Sequence, residues 1–146
     1  MINDVASTGR MELMKLSVVV MDSPIIGEIA VRLLKSVGVT ARLVENAAEA
    51  VAACREKSVD VVFLDWDLPS MGALDFLRGL GGDENRPRII LCVTENDPQQ
   101  YVLAQAAGAD AQLLKPFDKA ALLTALQDVG VQSADAPADE PVAINR

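Results

Sequence analysis

The sequence predicts an α/β protein: a doubly wound, five-stranded parallel sheet with helices on both faces. Three observations carry this. Residues 59–64 are apolar except for Asp60, rich in valine, and run straight into Asp65, Asp67 and Pro69, the pattern of a strand buried on both faces. Short runs of this kind alternate with segments whose apolar residues recur every three or four positions, which implies right-handed βαβ units and a parallel sheet. Four of the runs end in polar residues: Asp22, Asp65, Thr94 and Lys115. Ligands bind outside the carboxyl ends of the strands in open α/β sheets. An acid, an acid, a hydroxyl and a lysine at those ends predict a small phosphate-and-metal site.

Each element follows from local signals. A strand is predicted over 16–21, and Ser23-Pro24 reads as a helix cap with proline at the first helical position. Ile25, Ile26, Ile29, Ala30, Leu33, Leu34 and Val37 form the expected buried stripe of the helix that follows, stopped by Gly38. A short strand over 39–45 leads to a helix capped by Asn46 and running to about 57, then to the central strand. After the Ser70-Met71-Gly72 turn a helix is expected over 73–80, and 81–87 is a loop by its Gly, Asp, Asn and Pro content. A strand over 88–93, a helix over 98–107 closed by Gly108, a strand over 111–114 and a helix capped by Asp118 complete the domain. The organisation expected is a flexible leader over 1–14, one domain over 15–130 and a disordered acidic tail over 131–146.

Composition narrows the chemistry. The 146 residues suit one domain. They are 51% hydrophobic but 3% aromatic, so the core must be built from Val, Leu, Ile and Ala. A net charge of −8 without a Lys/Arg cluster argues against a nucleic-acid surface. No 18-residue apolar run and no signal peptide are present, so a cytoplasmic protein without a membrane partner is expected. The chain has no histidine, which removes the commonest general base and leaves any metal to be a hard, oxygen-ligated ion such as Mg²⁺. Cys54 and Cys92, far apart and in regular elements, read as reduced structural thiols.

Val20-Met21-Asp22-Ser23-Pro24, Leu64-Asp65-Trp66-Asp67-Leu68-Pro69, Val93-Thr94 and Leu114-Lys115-Pro116-Phe117 together resemble the receiver domain of bacterial two-component response regulators. The likeness is to the single-domain style of the chemotaxis regulator and runs over about 16–129. It implies the flavodoxin-like receiver fold and a role in phosphorelay signalling. Asp65 would accept a phosphoryl group from a histidine kinase or phosphotransferase. Asp22, Asp65 and the backbone carbonyl of Asp67 would hold Mg²⁺. Thr94 would bond a phosphoryl oxygen, Lys115 would pair with it, and the Lys115-Pro116 peptide would be cis. The chain would be a phosphoacceptor assisting its own phosphoryl transfer and hydrolysis rather than an enzyme, a stand-alone regulator acting on a downstream protein by contact.

Three positions depart from the family pattern. Met21 stands where most receivers have a first acid, so Mg²⁺ would be bound more weakly. Glu95 follows Thr94 where a small residue is usual, and would either restrict phosphodonors or restore part of the lost acidity. Gln112 replaces a common aromatic that turns inward with the threonine. The output face is expected around the last two helices and the last strand, with Gln99, Gln100, Tyr101, Gln105 and Lys119 exposed. Plainer readings stand beside these: Asp65 as a turn residue before Pro69, Ser23 as a cap, Lys115 as a solvated loop lysine. Four such residues at four strand ends favour a site. The alternative function is a receiver-like interaction module acting without phosphorylation; a small hydrolase with Asp65 as nucleophile is a weaker third.

Overall fold

The computed structural model describes residues 16–56, 58–69, 72–80 and 86–131. Strands and helices alternate along them: β1 (Leu16–Val20), α1 (Pro24–Ser36), β2 (Thr40–Val44), α2 (Ala47–Glu56), β3 (Val61–Asp65), α3 (Gly72–Leu80), β4 (Arg88–Val93), α4 (Pro98–Ala107), β5 (Ala111–Leu114) and α5 (Lys119–Asp128). The sheet order is β2-β1-β3-β4-β5, parallel at every pairing. The chain steps outward from β1 to β2, then crosses back to β3 on the other side. That reversal opens a crevice between the carboxyl ends of β1 and β3, where Asp22 and Asp65 stand.

Side-chain alternation divides the core in two. Val19, Val61, Phe63, Ile90, Cys92, Ala111 and Leu113 face α1 and α5. Val18, Val20, Val62, Leu64, Ile89, Leu91 and Val93 face α2, α3 and α4. All five residues of β3 are buried, as its unbroken apolar run requires. Each fully buried Val, Leu or Phe contributes roughly 1.5–3 kcal/mol of burial free energy, so the middle of the sheet fixes the register that the strand ends inherit.

Helix starts are capped as the sequence indicates. Ser23 accepts from Ile26 N–H at 3.3 Å, Asn46 from Glu49 N–H at 2.9 Å, and Asp118 from Ala121 N–H at 2.9 Å. Asp97, just before the Pro98 that opens α4, caps that helix through Gln99 N–H and Gln100 N–H. Gly38 and Gly108 take positive φ past the ends of α1 and α4, the backbone state that glycine reaches without strain.

The buried stripe of α1 is narrower than its periodicity indicates. Ala30 and Leu34 are buried, whereas Ile25 is 72% and Ile29 45% exposed. Helix α1 packs on the edge strand β2 and has a helix, α5, on one flank, so the apolar residues of its other flank are only partly covered. At the other end of the domain Val131, expected in the tail, is buried in the α1/α5 core, and its N–H donates to Leu126 O at 2.9 Å. The expected leader and the rest of the tail lie outside the described residues.

Two aspartates finish the sheet at its amino edge. Asp60 Oδ2 accepts from Leu16 N–H at 3.1 Å while Asp60 N–H donates to Leu16 O. Asp110 does the same for Ile89, with Oδ2 at 2.8 Å from its N, and its other oxygen lies 3.6 Å from Arg86 Nη2. Each carboxylate serves an N–H at the beginning of a neighbouring strand. Asp110→Ala orphans the N–H of Ile89, a fully buried residue, and should lower stability by about 1–3 kcal/mol in urea denaturation. Asp110→Asn keeps an acceptor oxygen and should lose less. Among the described residues no helix is long and apolar enough to cross a membrane.

Candidate functional site

The register of the strands assembles the carboxyl-end residues. Val20 pairs with Leu64 across β1 and β3, which sets Met21 level with Asp65. Asp65 pairs with Cys92 and Val93 with Leu114, so Thr94 and Lys115 each stand one residue beyond the paired ends of β4 and β5. The Lys115 N–H donates to Val93 O, the last backbone bond of that edge. The Lys115-Pro116 peptide is cis.

Asp65 is the centre of the cluster. It is 2% exposed, one of two buried polar residues among those described, the other being Ser17. Lys115 Nζ lies 2.6 Å from Asp65 Oδ1, with the lysine side chain 7% exposed. Asp67 N–H donates to Oδ1 at 2.9 Å and Asp22 N–H to Oδ2 at 3.2 Å. Lys115 Nζ also lies 3.2 Å from Asp67 Oδ2, a contact not anticipated from the sequence, where only the backbone carbonyl of Asp67 had a role. The lysine is thus neither solvated nor free; it bridges two carboxylates.

The ionisation of these groups follows from this packing. Burial by itself would lower the Lys115 pKa, but hydrogen bonds and charges from Asp65, and then from Asp67, outweigh it and leave the value raised. Cys92, fully buried on β4 beside Asp65, has its thiol pKa pushed well up by burial first and by the Asp65 carboxylate second, with Lys115 opposing. Burial raises that of Cys54 to about 11. Both thiols are free and are held protonated at neutral pH, away from nucleophilic use.

The donor set fits a hard cation held by few protein ligands. Asp22 follows the end of β1 next to Asp65, to which its backbone N–H donates, and Asp65 Oδ2 carries that single N–H donor, which leaves lone-pair capacity for a metal. Among the described residues no three acidic or thiol side chains converge as a metal cluster. Met21, level with Asp65, is 2% exposed and packs into the α1/α5 core. It also forms part of the wall of a hollow lined by Asp22, Glu45 and Asn46. The side chain at this position is therefore an apolar wall and not a ligand.

Thr94 and Glu95 are exposed on the loop between β4 and α4, and no hydrogen bond to the Thr94 hydroxyl is found among the described residues. Two residues on, Asn96 Oδ1 accepts from Gln112 Nε2 at 2.9 Å. Gln112 stands out in the sequence by its departure from the family pattern, whereas Asn96 carries no such signal. Of the residues expected on the output face, Gln99, Gln105 and Lys119 are exposed, while Gln100 and Tyr101 are half-buried.

Residues 18–127 match the protein family described as the response regulator receiver domain. The chain belongs to that family. Receivers of this kind serve bacterial two-component systems, where phosphorylation and Mg²⁺ are typical. The receiver is 31% identical over 121 residues to the DNA-binding response regulator MtrA of Mycolicibacterium smegmatis, covering 83% of this chain and 53% of that protein. It is 38% identical over 98 residues to the transcriptional regulatory protein KdpE of Mycobacterium tuberculosis, covering 66% and 43%. It thus spans about half the length of the curated relatives it matches. Among solved structures, the chemotaxis response regulator CheY4 of Vibrio cholerae superposes with a TM-score of 0.73 at 27% identity, over 80% of this chain and 98% of that one. The receiver domain of a sensor histidine kinase from Pseudomonas aeruginosa, described with a magnesium ion in its active site cleft, shares the fold, with a TM-score of 0.70 at 24% identity over 80% and 98%.

Proposed function

We propose that this receiver takes a phosphoryl group on Asp65 from a histidine kinase or phosphotransferase and passes the change on by protein contact. The observation that supports it is the pairing of two enclosed side chains, Asp65 and Lys115, 2.6 Å apart at the end of the central strand. A buried carboxylate with a dedicated ammonium is a preorganised place for a transferred charge. In the transfer a carboxylate oxygen of Asp65 forms a bond to phosphorus as the phosphorus–nitrogen bond of a phosphohistidine breaks. The imidazole leaves with that bond's electron pair and takes a proton from solvent. The donor histidine belongs to the partner, since this chain has none.

Lys115 stays in place through this step, exchanging part of its contact with Asp65 for the incoming phosphoryl oxygens. Thr94, whose hydroxyl is uncommitted, donates to another of them. Asp22, Asp65 and the carbonyl of Asp67 would hold Mg²⁺, which supplies charge neutralisation between carboxylate and phosphate. With Met21 in place of an acid, that ion would be held weakly.

The test is intact-protein mass after incubation with a small-molecule phosphodonor, with and without Mg²⁺, for the wild type and Asp65→Ala. A metal-dependent gain of one phosphoryl mass in the wild type, absent in Asp65→Ala, is expected. No gain at any Mg²⁺ concentration would overturn the proposal in favour of an interaction module acting without phosphorylation, a reading to which the burial of Met21 lends weight.

A further inference from the structure

Gln112 is poorly satisfied where it lies. Its Nε2 donates to Asn96 Oδ1 at 2.9 Å, but its Oε1 is the one buried side-chain oxygen or nitrogen without a hydrogen-bond partner among the described residues. Turning the amide over would orphan the nitrogen instead. A buried polar atom without a partner is costly, so this glutamine holds its oxygen unpaired while its nitrogen makes one bond to the exposed Asn96.

The position of that bond gives it a use. Alternation along β5 sets Ala111 and Leu113 toward α1 and α5, and Gln112 toward the opposite face, beside Leu91 in the register. The loop from Thr94 to Asp97 joins β4 to α4, and its Asn96 side chain reaches Gln112 on the neighbouring strand β5. Thr94 follows directly on the end of β4, and Asp97 caps α4. Only Glu95 separates Thr94 from Asn96, so the hydroxyl cannot travel far without disturbing the Asn96 side chain. Helix α4 itself is lightly held: of its ten residues one, Ala104, is buried, and Val102 and Leu103 are 63% and 66% exposed.

We propose that the Asn96–Gln112 hydrogen bond is a latch on the unmodified state, broken as Thr94 moves to a phosphoryl group on Asp65. Held, it fixes the loop and the first turn of α4. Released, Gln112 turns outward, where water satisfies both ends of its amide, and the loop and α4 are freed together. This supplies the differential contact that a two-state switch requires, and its sense is outward on modification. The inference rests on the phosphoacceptor reading of Asp65 for its trigger and on the structure alone for the latch.

Two arms of one experiment separate those parts. In the unmodified full chain, backbone amide hydrogen exchange at residues 96–100 should quicken in Gln112→Leu and in Asn96→Ala, each by about fivefold for the loss of one hydrogen bond. In the second arm the dissociation constant for beryllofluoride with Mg²⁺, a phosphoryl mimic, should tighten about fivefold in each variant. The double variant should tighten no further, because both lose the same bond. Unchanged exchange in Gln112→Leu, or a double variant equal to the product of the singles, overturns the latch. If the wild type takes no beryllofluoride, the phosphoacceptor reading fails, and the exchange arm alone decides whether Gln112 restrains the loop.

Discussion

Lys115→Met should lower stability by about 3 kcal/mol at neutral pH and slow Mg²⁺-dependent labelling of Asp65 by roughly a hundredfold. Methionine keeps the length and most of the volume of the lysine stem, so packing changes little. What is lost is the counter-charge 2.6 Å from a carboxylate that is itself 2% exposed. The two backbone N–H groups that remain on Asp65 cannot neutralise it. The cause can be isolated: Lys115→Met combined with Asp65→Asn removes the stranded charge and should regain most of the loss. A double variant as unstable as the single would mean that the lysine acts through packing. Urea denaturation of the four proteins reads the cycle directly.

The same pair sets an alkaline limit. The folded pKa of Lys115 is raised above its ordinary value of 10.5, so the folded state holds the proton more tightly than the unfolded one. That contribution to stability is complete below the unfolded value and is lost as pH climbs through the folded one. Above about pH 10, wild-type stability should therefore fall more steeply than that of Lys115→Met, in which no such group titrates. Parallel curves from pH 8 to 11 would show that Asp65 and Asp67 do not tighten the proton in solution.

Much of this arrangement was legible because punctuation bounded it. Proline, aspartate and glycine flank Arg88–Val93, Pro98–Ala107 and Ala111–Leu114, and those elements fall where the sequence indicates. In a parallel sheet the carboxyl ends lie together, so Asp22, Asp65 and Lys115 could be brought to one place from their positions at strand ends. Periodicity, by contrast, reports which side chains share a helix face and not how much of that face another element covers; Ile25 and Ile29 show the difference. Nor does a strand end specify a rotamer. That Lys115 would bridge Asp65 and Asp67 depends on side-chain reach, and that Asn96 would meet Gln112, sixteen residues away, leaves no periodic trace. Asp60 and Asp110 look like ordinary residues before a strand until the neighbouring N–H groups are seen to need them.

Met21→Asp should destabilise the metal-free protein by about 3 kcal/mol and make its stability strongly Mg²⁺-dependent. The substitution removes a methionine that is 2% exposed from the α1/α5 core and sets a third carboxylate beside Asp22 and Asp65. Without metal, three like charges with Lys115 as the nearest counter-ion repel one another and the apolar wall is lost. With metal, each added carboxylate strengthens a hard-cation site. A tenfold tighter dissociation constant returns about 1.4 kcal/mol at saturating Mg²⁺. Thermal melts of the wild type, Met21→Asp and Met21→Asn across a Mg²⁺ titration distinguish the two effects. Met21→Asn loses the same burial without gaining the charge, so it should be destabilised and recover no more than the wild type does. Equal recovery in all three would mean that carboxylate count does not limit the site. A larger recovery in Met21→Asp than in the wild type would mean that Met21 exchanges metal affinity for a core that is stable without metal.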